Sequence, residues 1–334
     1  MSFVRVAVVC GGRSSEHEVS LASGASVAAG LLEAGHEVVC IEIGRDGVWR
    51  RDDQPLVVTL GAALPEIDVV FPVLHGPFGE DGTVQGLLEC LDLPYVGAGV
   101  LASALCLDKV AFKRLMAQVG IPQVEHRALH ERAWREDRSA IAASVAELGW
   151  PAFVKPARLG SSVGIARVDR PEQLEAALET AFAHDPLAIA EALADGREVE
   201  CSVLGNGDPI ASEPGEILLA AGEGGWYDYE AKYTAGGMRL VVPARLSAAV
   251  RERIRELAVA AFTAAGCAGL ARVDFFVADS GEVLVNELNT MPGFTQTSVY
   301  GSLFAASGIQ YPQLLDRLVR LALERHAQER AHRF

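Results

Sequence analysis

Through the first hundred residues, short apolar runs alternate with stretches of helical period. Val4–Val9 reads as a buried strand, and the spacing predicts a helix from about Leu21 to Ala34, stopped by Gly35. Val38–Ile43 and Val69–Leu74 read as further strands. Asp81 is placed to cap a helix running to about Leu91, and Tyr95-Val96-Gly97 begins another strand segment. This alternation predicts an open, mainly parallel sheet with helices on both faces.

Past Asp108 the rhythm changes. A helix over Lys109–Val119 ends at Gly120, with Pro122 just beyond. A strand near Val124–Leu129, a helix near Arg132–Leu148 and a strand over Ala152–Pro156 lead into a glycine-rich loop. A strand near Ile165–Val168, a helix from Pro171 to about His184 and a strand over Leu187–Glu191 close this block, which has the size of a lid. From Glu198 strands dominate, and a long polar loop runs from about Ala220 to Gly237. Leu246–Ala265 is an amphipathic helix, strands near Leu270–Val277 and Val283–Leu288 surround Ser280-Gly281, and a helix near Tyr311–Arg325 ends the pattern. The reading is α/β, turning α+β in the C-terminal half, with domains over 1–107, 108–190 and 191–334.

Composition narrows the function. The 334 residues are 50% hydrophobic and 22% charged, enough apolar surface to order most of the chain. Twenty-nine Lys and Arg against 44 Asp and Glu give a net charge of −15. Such a chain has no general attraction for nucleic acid or an anionic membrane, so a bound polyanion must be met by a few placed cations and a metal. The six cysteines are scattered without a Cys-x-x-Cys and read as buried, reduced thiols of a cytoplasmic protein. The first apolar run is too short for a signal segment, and no 18-residue apolar run suggests a membrane span.

The chemistry concentrates in Ala271-Arg272-Val273-Asp274-Phe275 and Val285-Asn286-Glu287-Leu288-Asn289. Alternation puts Arg272 and Asp274 on one face, and Glu287 and Asn289 on one face with Leu284 and Leu288 opposed. A two-residue turn at Ser280-Gly281 sets Asp274 opposite Glu287 and Arg272 opposite Asn289, leaving Asn286 as the one polar residue beneath. Facing carboxylates repel, and a divalent cation relieves this with a hard-oxygen set. The simpler reading is a solvated polar face with Arg272 bridging the acids. The following Thr290-Met291-Pro292-Gly293-Phe294-Thr295 favours the metal, because a glycine turn there lets backbone N–H groups approach a ligand.

Four further stretches stand out. Lys155-Pro156-Ala157-Arg158-Leu159-Gly160-Ser161-Ser162-Val163-Gly164 matches neither the P-loop nor the dinucleotide fingerprint, yet a small-residue loop rooted on a lysine can cradle phosphates; it can equally be a surface turn. Gly11–Ser20 follows the first strand, where ligands sit in open α/β sheets; Glu16 could hold an ammonium, or the segment could simply cap the next helix with Ser20 as N-cap. His75-Gly76-Pro77-Phe78-Gly79-Glu80-Asp81-Gly82 offers His75 for binding, although a lone loop histidine usually has no such role. Trp226–Tyr233 is aromatic and charged within the long loop, the composition of a cover.

These five stretches, in this order, resemble the D-alanine–D-alanine ligases of the ATP-grasp superfamily over nearly the whole chain. The resemblance implies a three-domain, homodimeric ligase that joins two D-alanines at the cost of ATP for peptidoglycan, with ATP and two Mg²⁺ or Mn²⁺ bound. It implies that Lys109 and Lys155 contact ATP phosphates, with Gly160, Ser162 and their loop folding over them and Lys232 nearby. Glu191 and Ala194 would lie at the adenine and Glu198 at the ribose. Asp274, Glu287 and Asn289 would ligate the metals, while Arg272 and the Gly293 N–H stabilise the developing oxyanion. Glu16 would hold the first D-alanine's ammonium, linked to Ser161 and Tyr233, with His75 close by. Lys232, Ser298 and Val299 would surround the second D-alanine.

The reaction's needs agree. A carboxylate becomes a competent electrophile only when phosphorylated, and phosphoryl transfer needs charge neutralised on several oxygens. The second amine must lose a proton, and the acyl phosphate must be kept from water. Against the family that the chain resembles, Val299 is smaller than the Leu or Met often found there, and Gly301-Ser302 stands where Pro-Lys is common. By the same resemblance, Tyr233 implies D-alanine rather than D-lactate as second substrate; a D-alanine–D-lactate or another carboxylate–amine ligase is the alternative.

Overall fold

The computed structural model describes residues 4–59, 64, 66–160, 162–219 and 237–332. The first strand, Arg5–Gly11, is wholly apolar between its ends and pairs in parallel with both Glu37–Ile43 and Val69–Pro72. Its side chains alternate between two cores. Val6 and Val8 pack with Val27 and Leu31 of the helix His17–Glu33 and with Leu314 and Leu318 of the helix Tyr311–Arg330. Ala7 and Val9 pack on the other face with Val84 and Leu88 of the helix Thr83–Cys90. Helices therefore cover both faces of this sheet, as its apolar strands require. At its edge, Trp49–Arg51 and Gln54–Pro55 add an antiparallel hairpin too short to show as a periodic run.

The first helix starts at His17, before the expected Leu21. Ser20 is buried within it and is not the N-cap. Its hydroxyl instead accepts the Gly11 N–H at 2.8 Å and donates to the Val73 carbonyl, tying helix to sheet. The next helix has Gly82, in the left-handed region with φ 89°, at its N-cap. Asp81 still takes the Thr83 N–H at 2.9 Å.

A second, antiparallel sheet has the order His126–His130, Leu187–Ala192, Ala152–Pro156, Ala166–Val168. Its helices are Leu174–Phe182 and, in place of one helix over 132–148, Glu131–Glu136 and Arg138–Ala146. Asp137 makes the break, its carboxylate capping the second helix through the Ala140 N–H at 2.9 Å.

The third sheet runs Met238–Val241, Gly215–Leu219, Arg197–Gly205, Gly269–Val277, Val283–Asn289, with Ile210–Ala211 paired to Arg197–Gly205. Val199, Cys201, Val273 and Phe275 face a core with Ile254, Leu257 and Phe262 of the helix Ala248–Ala264 and Phe112 and Met116 of the helix Lys109–Gln118. Two helices without a sequence forecast, Val100–Leu107 and Val299–Ala306, lie beside it. Cys106, Cys201 and Cys267 are buried, Cys10 is half-buried, and Cys40 and Cys90 are exposed, contrary to a fully buried thiol set. No helix among the described residues is long and apolar enough to cross a membrane.

Candidate functional site

Two cavities meet between the sheets. One, of about 380 Å³, is lined by Lys109, Lys155, Gly160, Ser162, Glu191, Ala194, Glu198, Asp274 and Glu287. The other, of about 620 Å³, is lined by Glu16, His75, Lys109, Gly160, Arg272, Glu287, Asn289, Gly293, Ser298 and Val299. Lys109, Gly160 and Glu287 line both, so the cavities share a wall at these residues. Every site residue expected from sequence and described in the structure thus lies on this double cavity. Ser161, Lys232 and Tyr233, with the loop that carries the last two, lie outside the described residues.

The polar face of the third sheet forms the common floor. Asp274 lies opposite Glu287 and Arg272 opposite Asn289, the pairing expected from the sequence. The turn, however, has three residues, 279–281, and a bulge between Asp274 and Phe275 corrects the register. Phe275 therefore pairs with Val285. Asn286, expected beneath the sheet, lines the smaller cavity instead, and Leu284 pairs with Phe276 on the polar face rather than joining the core.

Arg272 donates from Nε and Nη2 to the two oxygens of Asp274, each at 2.7 Å. The same Nε lies 2.9 Å from Oε2 of the buried Glu200. The arginine does bridge two acids, but the second is Glu200 and not Glu287. Asn289 Nδ2 donates to Asp274 Oδ2 at 3.1 Å. The Lys109 ammonium lies 3.5 Å from Glu287 and donates to the Leu159 carbonyl at 2.8 Å, joining the floor to the glycine loop. Asp274, Glu287 and the amide oxygen of Asn289 form a hard-oxygen set on one face, which suits a divalent cation that also holds phosphate.

Glu191 is buried between two ammonium groups, Lys113 on Oε1 at 2.9 Å and Lys155 on Oε2 at 2.5 Å. Burial works to raise its carboxyl, but the two lysines outweigh this and hold it down to about 2. Burial lowers the Lys113 ammonium despite Glu191. At Lys155 burial acts in the same sense, but Glu191 and Glu287 together raise it.

In the larger cavity Glu16 is buried, and a Cβ added to Gly160 would stand 3.3 Å from its Oε2. His75 Nδ1 is 3.0 Å from the Met291 carbonyl and Nε2 3.3 Å from Ser23 Oγ. Burial holds the imidazole below its ordinary value against the pull of Glu16. Glu80 accepts the Gly76 N–H at 2.8 Å and the Met291 N–H at 3.2 Å. Burial, reinforced by Glu16, pushes its carboxyl up to about 8. Ser23 Oγ accepts the Phe294 N–H at 3.2 Å. Glu80, His75 and Ser23 thereby hold the backbone on either side of Gly293. Ser298, at the N-cap of Val299–Ala306, accepts the Thr295 N–H at its Oγ at 2.9 Å, and the two hydroxyls lie 2.7 Å apart.

Lys113, Glu200, Glu80 and Ser23 were missed in the sequence. Glu200 was open to detection, since it lies two residues after Glu198 on the same face of one strand. Lys113 stands one helical turn after Lys109, so the pair shares a helix face.

A glycine loop over a lysine-lined cavity, joined at an acidic sheet face to a second cavity, defines an ATP-grasp-type ligase. Comparison with known proteins carries this further. The D-ala D-ala ligase C-terminus family model matches residues 115–320, and the N-terminus model matches 5–62 and 51–98. The chain is 48% identical to a D-alanine–D-alanine ligase of Deinococcus radiodurans, covering 96% of this chain and 98% of that protein. It is 44% identical to one of Halothermothrix orenii, covering 97% and 99%. A solved D-alanine–D-alanine ligase of Coxiella burnetii superposes with a TM-score of 0.89 at 36% identity, covering 99% of this chain and 97% of that one. A D-Ala:D-Ser ligase of Enterococcus faecalis superposes with a TM-score of 0.86 at 37% identity, covering 96% and 100%. The chain belongs to the D-alanine–D-alanine ligase family and is an enzyme.

Proposed function

We propose that this enzyme joins two D-alanine molecules through a D-alanyl phosphate, converting ATP to ADP and phosphate, in the cytoplasm and for peptidoglycan. The observation that carries the reading is the shared wall of the two cavities: a nucleotide in the smaller one presents its phosphates at Lys109, Gly160 and Glu287, where a carboxylate in the larger one can reach them. The division into domains over 1–107, 108–190 and 191–334 belongs to the same proposal; the three sheets support it, although the strand Leu187–Ala192 runs across the second boundary.

In this reading Glu16 binds the ammonium of the first D-alanine and turns its carboxylate toward the smaller cavity. Neutral His75 lies alongside. Lys109, Lys155 and the loop at Gly160 and Ser162 hold the phosphates; Glu191 and Ala194 face the adenine and Glu198 the ribose. Asp274, Glu287 and Asn289 fit two Mg²⁺ or Mn²⁺ ions, which supply neutralisation of phosphate oxygens when bound. Among the described residues no three His, Cys, Asp or Glu gather into a metal cage, and in this reading the amide of Asn289 and the phosphates would complete the coordination. Arg272 and the Gly293 N–H stabilise negative charge at the acyl carbon. Ser298 and Val299, with Lys232, surround the second D-alanine, whose amine loses its proton through Ser161 and Tyr233.

The test is phosphate release from ATP and Mg²⁺ with D-alanine, D-serine or D-lactate. D-alanine-dependent release with dipeptide formed is the expected result; release that needs D-lactate and ignores D-alanine refutes it. A homodimer is proposed with the family, and a monomeric mass by light scattering refutes that part.

A further inference from the structure

The ion pairs on the sheet floor carry a second consequence, which rests on the proposed metal role of Asp274. Both Asp274 oxygens receive Arg272, and Oδ2 also receives Asn289. A metal ligated by Asp274 would compete with this bidentate pair for the same two oxygens. Weakening that pair is costly for a guanidinium that is largely buried. Glu200 removes that cost. It is buried, it lies directly opposite Asp274 on the neighbouring strand, and its Oε2 is already 2.9 Å from Arg272 Nε. That nitrogen carries one hydrogen, now donated to Asp274 Oδ1, with the Glu200 oxygen within reach of the same nitrogen.

We propose that Glu200 is a positioning residue that takes over Arg272 when Asp274 turns to a bound metal. The guanidinium changes partner by pivoting at Nε, so the cation stays beside the reacting carboxyl while the aspartate is released. Both carboxylates sit on rigid paired strands, which keeps the exchange local.

The test uses the full chain with Glu200→Gln and Glu200→Asp. Two quantities are read: the Mg²⁺ concentration for half-maximal D-alanine-dependent phosphate release at saturating ATP, and the rise in thermal midpoint produced by Mg²⁺–ADP. In Glu200→Gln the Mg²⁺ requirement should rise roughly tenfold and kcat fall roughly tenfold, with the KM for D-alanine within about twofold of the parent. The Mg²⁺–ADP shift should shrink. Glu200→Asp, which keeps the charge but draws it back by one methylene, should fall between, and it carries the test if Glu200→Gln does not fold by circular dichroism. An unchanged Mg²⁺ requirement and an unchanged Mg²⁺–ADP shift in a folded variant overturn the proposal, even where that variant is less thermostable. If the parent shows no D-alanine-dependent turnover, the proposed function fails, and the Mg²⁺–ADP shift still decides the role of Glu200.

Discussion

Asp274 stands directly opposite Glu287, and the register of their strands slips by one residue immediately beyond them. The slip expels Asn286 from the core side and leaves two carboxylates face to face beside Lys109 and Arg272. Opposed acids in one register are unfavourable unless cations answer them, which ties the predictions below to this floor.

Glu287→Gln should lower the rate of D-alanine-dependent phosphate release by roughly a hundredfold while the fold persists, because the change removes one charge from the metal set and keeps its shape. Steady-state kinetics with circular dichroism as the control decide it; a near-normal rate sinks the metal assignment.

Lys113→Met should destabilise the protein by about 3 kcal/mol, since it leaves Glu191 buried against Lys155 alone. It should also change the pH dependence. The Glu191 carboxyl lies at about 2 in the fold against an ordinary 4.5. A depressed folded value contributes stability that is fully present above 4.5 and is lost as pH falls toward 2. Urea midpoints measured across that window should slope less in the variant than in the parent; equal slopes count against the Lys113 contribution.

Ser23→Ala should lower kcat about tenfold with little change in the KM for ATP. The Phe294 N–H loses its acceptor, and the backbone at Gly293 loses one of its anchors. The kcat and KM values, determined separately, check the split, and an equal loss in both contradicts it.

Gly24→Ala should cost about 1–2 kcal/mol despite the better helix propensity of alanine. An added Cβ would meet Cys10 Cβ at 2.6 Å, so the first helix and first strand must move apart. Chemical denaturation measures the loss, and a variant as stable as the parent would show that the packing yields.

Much of this molecule was legible in the chain because periodicity reports the faces of local elements. The continuous apolar run after Val4 required a doubly covered strand, and the alternation through Arg272 and Asp274 placed both on one face. The opposition of Asp274 and Glu287 came out as read only because the bulge beyond Asp274 offsets the extra turn residue, which the sequence did not reveal. Boundaries were less legible: Ser20 read as a cap until the Gly11 N–H and the Val73 carbonyl claimed its hydroxyl.

Only the tertiary structure decided the ion pairing and the meeting of the two cavities. Lys113 with Glu191, Glu200 with Arg272 and Glu80 with Met291 join segments far apart in the chain. A buried charge is tolerable only where the fold brings it a partner, and no local pattern names that partner. Hydrophobic alternation thus dictated which faces are polar, while packing of the three sheets selected which charges meet there.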